Sequence, residues 1–384
     1  MMCRFTGAIA AALLVLPLPS GAQAQLLVSG NDGKAFLVDG VNQVPNNPSA
    51  DYVAVIDLGA KPPKVIAEIL APASVIGPPQ SVAVAADESF ALVASAAKLD
   101  PKDAKKLVPD NTVTVIDLKA SPPAAIGTVQ AGNGAAGIAI NRAGTLALVA
   151  NRGEGTVSIF TVADKKLTAA GKIDFGNRSG PSSVAFTPDG KRALVTRDGD
   201  HRISVLSVDG SKVEYTKRDM IAGIRPYSME ISSKDDVAIV GNIGLSQGDA
   251  DTISLVDLKA NPPRVADTVT VGQTPESISI SPDGKFAVAI LMNGSNKPKA
   301  SPFFNDFGLA KVFAIKGTKL MPVTEAKIGH WCQGSAWSKN SRTLVVQCMV
   351  ENELQLFNFN GRTLTRSGGI KLSSSPASIG VAGR

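Results

Sequence analysis

Arg152, Arg178, Arg197 and Arg225, with Asp198, His201 and Tyr227 among them, are spread through the middle of this 384-residue chain, and Glu276, His330 and Trp331 follow. Guanidinium groups are planar forks that hold carboxylates or phosphates through paired hydrogen bonds, so four of them brought to one mouth would select a small anion. His330 and Glu276 are the candidates for a general base, the role that would turn binding into catalysis. Metal chemistry is poorly served. The chain has two histidines, too few for a three-histidine zinc site, and only His201, His330 and Asp198 together could supply three ligands. Gly248-Asp249-Ala250-Asp251 lacks the ligand count of a calcium loop. Without a Cys-x-x-Cys-His motif there is no covalent haem. Neither a metal nor a cofactor is expected. A Gly-x-Ser-x-Gly nucleophile elbow is also missing.

The elements that must carry these residues are strands. From Val271 to Leu291 an alternating apolar run (Ile278, Ile280), a Pro-Asp-Gly turn and a second apolar run (Phe286, Val288, Ile290) predict an antiparallel hairpin. Ser277-Ile278 falls on Ser81-Val82, Gly137-Ile138, Ser183-Val184, Ser228-Met229, Ser335-Ala336 and Ser378-Ile379, which makes seven copies. A third strand follows each hairpin (Val53-Leu58, Val113-Leu118, Val157-Val162, Ile203-Val208, Ile253-Leu258, Ala310-Ile315 and Leu354-Phe359), and a variable fourth comes next. Four short strands repeating at roughly 40 to 50 residues predict a propeller blade. The expected fold is all-β, a seven-bladed propeller. A serine or glycine at every copy of position 277 fits crowding near the axis.

Residues 1–24 read as a signal peptide: Arg4, an apolar run from Gly7 to Leu18 stopped by Pro17 and Pro19, and a small-x-small site before Gln25. That run falls short of the 20 or so apolar residues that span a bilayer, so no membrane span is expected. Residues 25–384 are then one propeller domain, periplasmic or secreted. Pro376 to Val381 is an innermost strand with nothing after it, and Leu26 to Gly30 is a second strand with nothing before it. The C-terminal strand should therefore complete the N-terminal blade and close the ring.

Val149-Ala150-Asn151-Arg152-Gly153-Glu154-Gly155-Thr156-Val157-Ser158-Ile159, Ser281-Pro282-Asp283-Gly284-Lys285 and Val271-Gly272-Gln273-Thr274-Pro275 resemble the YVTN-type beta-propeller repeat of the YncE-like or lactonase-like propellers. The resemblance spans essentially all of residues 25–384. It implies the propeller fold and a choice of roles: extracytoplasmic and surface-layer proteins, companions of quinoprotein dehydrogenases, and lactonases. An electron-transfer companion would need a cofactor that nothing here declares. A lactonase would need a base, His330 or Glu276, with Arg225 and Arg197 facing the developing oxyanion. No catalytic set of that branch can be laid onto this chain, which favours a non-catalytic binding protein, with lactone hydrolysis as the alternative.

In such blades the first-to-second turns lie on one face of the disc, and the second-to-third loops with the crossovers lie on the other. Here the long insertions, Asn31 to Asp51, Ala96 to Asn111, Asn242 to Asp251 and Met292 to Leu309, all fall on that second face, as do the candidate site residues. A partner protein or small anionic ligand is expected there. The net charge of +6 drops to +5 without Arg4. Basic residues are not interleaved with aromatics, so nucleic-acid binding is not expected. Cys332 and Cys348 stand at near-equal distances from the turn at Lys339 to Arg342, on paired strands. In an oxidising compartment they are expected to form a disulfide.

Overall fold

The computed structural model describes residues 25–234 and 236–382. The signal peptide expected at residues 1–24, including Cys3 and Arg4, lies outside the described residues. Each hairpin-plus-two-strand repeat forms one four-stranded antiparallel sheet, and seven such sheets surround a common axis. The innermost strands of blades 2 to 7 are Val82–Val84, Ala135–Ile140, Pro181–Phe186, Pro226–Ile231, Pro275–Ile280 and Cys332–Trp337. Among the described residues no helix is long and apolar enough to cross a membrane.

Sheets packed face to face explain the composition. Second strands such as Phe286–Leu291 are covered on both sides and read as continuous apolar runs, whereas outer strands such as Lys64–Leu70 alternate exposed residues with half-buried or buried ones. The core is thus divided between blades. Val288, Ile290 and Val312 of blade 6 pack on Trp337, Leu344 and Phe357 of blade 7. Phe286 and Phe359 meet edge to face across the same seam, their centroids 4.9 Å apart.

Ring closure follows the predicted route. Ser375–Val381 pairs with Leu26–Asp32 in register Leu27 to Val381 and Ser29 to Ile379, and Tyr52–Asp57 and Lys64–Leu70 complete blade 1. Gln347 ties the closure to blade 7, donating to Ser29 Oγ and the Ser378 carbonyl at 2.8 Å each. Two of the four insertions are more ordered than loops. Phe36–Val38 pairs with Val41–Gln43 and Ala97–Asp100 with Asp103–Pro109, each a short hairpin rising from the long-loop face. The strands of the first are only three residues long, and those of the second are interrupted by lysines and aspartates, so neither shows a strand periodicity.

A shared irregularity matters for the site. At the long-loop end of the innermost strand, blades 1 and 3 to 7 each carry a bulge, as in Pro226 paired with Asn242 but Met229 with Val240, and Pro275 with Leu291 but Ser277 with Ile290. Bulges free residues from the ladder and re-aim their side chains. The freed positions hold Ala136, Ser182, Tyr227, Glu276 and Ala377, among others. Most are small because the axis is crowded. A Cβ at Gly334 would lie 2.6 Å from both Gln347 Oε1 and Ile379 Cγ2, and one at Gly137 would collide with the Ser182 carbonyl.

The two cysteines of blade 7 face each other in the ladder with Cα atoms 3.9 Å apart and are disulfide-bonded. Cys348→Ser should lower unfolding stability by about 3 kcal/mol, the chain-entropy value for a loop of roughly 15 residues. Denaturant titration with and without reductant checks this: reductant should destabilise the wild type to the level of the variant and leave the variant unchanged.

Candidate functional site

Second strands of blades 3 and 4 end at Asn151 and Arg197, so Arg152 and Asp198 are the first residues past them, on the long-loop face. Arg225 sits in the crossover that enters blade 5, at a φ of 55°. Its neighbour Tyr227 and, one blade on, Glu276 occupy the bulged positions. Four consecutive blades thereby bring these five residues to one place.

Asp198 is the hub. Arg152 grips it with both arms, Nε to Oδ1 at 3.0 Å and a terminal nitrogen to Oδ2 at 2.6 Å, while Arg225 donates to Oδ2 at 3.0 Å and Ser182 Oγ to Oδ1 at 2.8 Å. Burial alone would raise the Asp198 pKa. The bonds from Arg152, Ser182 and Arg225 outweigh it and hold the carboxyl below its ordinary value. The Arg152 guanidinium also lies 5.7 Å from the centroid of the Tyr227 ring.

Glu276 behaves oppositely. It is 5 % exposed, and no described residue donates a hydrogen bond to its carboxyl. Burial pushes its pKa up to about 8 against the attraction of Arg152 and Arg225, with Asp198 adding to the rise. Tyr227, also buried, is raised, first by burial and next by the Glu276 charge, and its hydroxyl too has no hydrogen-bond partner among the described residues. At neutral pH the group therefore holds two guanidinium cations, one carboxylate and one largely neutral carboxyl. Its net charge is that of a single cation.

Above this cluster opens a cavity of about 490 Å³, lined by Arg152, Asp198, Arg225, Arg178, His201 and Ile76 among others. That volume is the size of a small-ligand site. Arg178 and His201 stand exposed at its rim. His201 Nδ1 accepts from the Arg225 backbone N–H at 3.2 Å, which leaves Nε2 to carry the ring's proton toward solvent in the neutral form. Among the described residues no cluster of His, Cys, Asp and Glu could hold a metal ion.

Three of the residues singled out in the sequence lie elsewhere. Arg197 turns away from its neighbour Asp198, as alternate residues of a strand must. It is buried under Phe175, 4.8 Å from that ring, and is paired with Asp200 and Ser204. His330 is held between Glu351 (Nδ1 to Oε1, 2.6 Å) and Asp306 (Nε2 to Oδ1, 2.9 Å). Trp331 packs with Ala35, Val75, Met292, Met349 and Ala377. Conversely, Ser182 was not singled out. The repeat itself points to it, because it directly precedes the small residue of blade 4 as Glu276 does in blade 6.

Residues 108–231 match the family model described as "Lactonase, 7-bladed beta-propeller". The lactonase-like resemblance read from the repeat thus holds over a segment that contains every pocket arginine and ends before Glu276. No curated protein matches the chain in sequence. Among solved structures, the periplasmic gluconolactonase of Pseudomonas aeruginosa is 16 % identical, with a TM-score of 0.67 over 94 % of this chain and 99 % of that one. A candidate 6-phosphogluconolactonase of Bacteroides fragilis is 18 % identical at TM-score 0.70, again over 94 % and 99 %. A protein of unknown function from Desulfotomaculum acetoxidans is 14 % identical at TM-score 0.69 over the same shares. At such identities these likenesses establish the fold.

Two titrations follow. Glu276 keeps its proton in the folded state up to about 8 but loses it near 4.5 when unfolded, so it makes stability fall as pH rises between those values, by at most about 1.4 kcal/mol per pH unit. Glu276→Gln should flatten that slope and stabilise the protein more at pH 8 than at pH 5 in thermal unfolding. For His330, burial opposes protonation, but the bonds to Glu351 and Asp306 outweigh it and raise the pKa. Its contribution is complete below about 6.5 and is lost as pH rises through the raised folded value. His330→Gln should remove that component, leaving the stability of the variant level with wild type only at alkaline pH.

Proposed function

We propose that the pocket of the long-loop face binds a small lactone and opens it by hydrolysis, with Glu276 transferring the proton. The observation that carries this reading is Glu276: a buried carboxyl without a hydrogen-bond partner among the described residues, its pKa raised to about 8, set near Arg152 and Arg225, which line an open cavity. The family match over residues 108–231 and the gluconolactonases among the fold neighbours support the reaction class.

In this scheme the ionised Glu276 takes a proton from water as its oxygen adds to the lactone carbonyl. N–H groups of Arg152 and Arg225 stabilise the oxyanion that forms, and Asp198 keeps both guanidinium groups in place. When the ring C–O bond breaks, the proton held by Glu276 passes to the departing alkoxide. The product is a hydroxycarboxylate. Its charge suits the net cationic cluster.

The disulfide and the apolar segment from Gly7 to Leu18 support a periplasmic or secreted location, since structural disulfides persist in oxidising compartments. A second reading, a non-catalytic protein that docks a protein partner on the same face, draws on the exposed Val41, Leu245 and Phe303 of the insertions and on Val350 in the second-to-third loop of blade 7.

Hydrolysis of a δ-lactone, followed by acid release, tests the leading reading. The rate should climb with pH to a plateau above about 8. Glu276→Gln should lower kcat/KM by about 100-fold or more, and Arg225→Ala should lower it as well. Activity that survives both substitutions would sink the assignment. Absence of lactone turnover, together with partner capture that is lost when residues 97–109 are removed, would support the docking reading.

A further inference from the structure

The pocket is chemically two-sided. Its cationic wall, Arg152 and Arg225 around Asp198, comes from blades 3 to 5. The wall from the first two blades is apolar: Ile76 in the crossover into blade 2, and Ala96 and Pro109 at the two feet of the hairpin inserted in that blade. Ile76 is 37 % exposed, an aliphatic side chain open to solvent at the edge of a cavity.

Two charged residues on that side, Lys34 and Asp110, are held in ion pairs. Lys34 is buried between Asp32 and Asp51, with its Nζ 2.7 Å from Asp51 Oδ2, and it also donates to the Ala73 carbonyl. Asp110, next to Pro109, is paired with Lys98 at 3.5 Å and accepts from Thr112. Among the described residues that line the cavity from this side none has a polar side chain, so a polyhydroxylated ligand would set its hydroxyl groups against aliphatic carbon there. The cost of leaving hydroxyls unpaired against such a wall argues for a ligand whose far end is hydrocarbon.

We propose that the ligand of this pocket is an amphiphile: a carboxylate or lactone head seated between Arg152 and Arg225, and an alkyl group lying against Ile76, Ala96 and Pro109. This rests on the reading of the cationic wall as the head-group site and adds the chemistry of the tail. With a volume of about 490 Å³ the cavity accommodates a head and a chain of several methylenes.

Isothermal titration of the intact protein with acetate, butanoate, hexanoate and octanoate tests it. Each added methylene should tighten binding by about two- to fourfold while the chain still contacts the wall, a fraction of or up to the full gain for burying a methylene. Ile76→Asn should flatten the series and leave acetate unaffected, and Arg225→Ala should weaken every member. Equal affinities along a series that still depends on Arg225 would overturn the tail site and leave the head site standing. A chain-length gain that persists in Ile76→Asn would overturn it too, as adsorption elsewhere. Failure of every carboxylate to bind would remove both. Among lactones, an alkyl-substituted δ-lactone should be preferred over a sugar lactone of the same ring size, with the preference reversed or abolished in Ile76→Asn.

Discussion

Crowding at the axis governs this molecule. Seven sheets share one centre, and their innermost strands approach so closely that added Cβ atoms at Gly137 and Gly334 would strike neighbouring blades. Small side chains satisfy this constraint, and so does the bulge repeated at the start of the innermost strand in six blades. A large polar residue placed there is set against its neighbours. Tyr227 and Glu276, on adjacent blades, are such residues, and both lie buried close to the charges of Arg152 and Arg225.

Asp198 converts that placement into an electrostatic site. Two guanidinium groups packed beside each other would repel, and each would lack partners once removed from bulk water. One buried carboxylate bonded to both resolves the repulsion and leaves a single excess positive charge. The same arrangement acts on Glu276 from two directions. The arginines favour its ionised form and burial opposes it, and burial prevails. A carboxyl balanced in this way changes its protonation near neutral pH when a ligand's charge is added or removed. In the ion pair of Arg366 with Glu353, by contrast, both carboxylate oxygens accept from the guanidinium.

The rest of the ring serves to keep this arrangement fixed. The C-terminal strand closes blade 1, Gln347 bonds both strands of the closure, and the disulfide pins the hairpin of blade 7 beside it. Turns on the opposite face are tight, whereas both inserted hairpins rise on the face of the pocket. Variation confined to one face of a rigid disc is how a propeller acquires a ligand site without disturbing its core.

The strands of the blades, the seven-fold repeat, the ring closure and the pairing of Cys332 with Cys348 were legible in the amino-acid sequence, because each depends on local periodicity or on counting residues from a turn, whereas the two inserted hairpins were not. The site was legible only in part. That Arg152, Asp198, Arg225, Tyr227 and Glu276 fall at strand ends on one face can be read from the repeat, and so can Ser182 once the bulge is recognised. Which of them meet cannot. Arg197 and Asp198 are neighbours in the chain and point to different surroundings. His330 has the chemistry of a base but is held by Glu351 and Asp306, which reach it from other loops. The apolar wall of Ile76, Ala96 and Pro109 carries no signature in the chain at all. Strand periodicity is a property of near neighbours, whereas convergence across blades depends on how seven sheets twist and pack around one axis, and only the tertiary structure decides that.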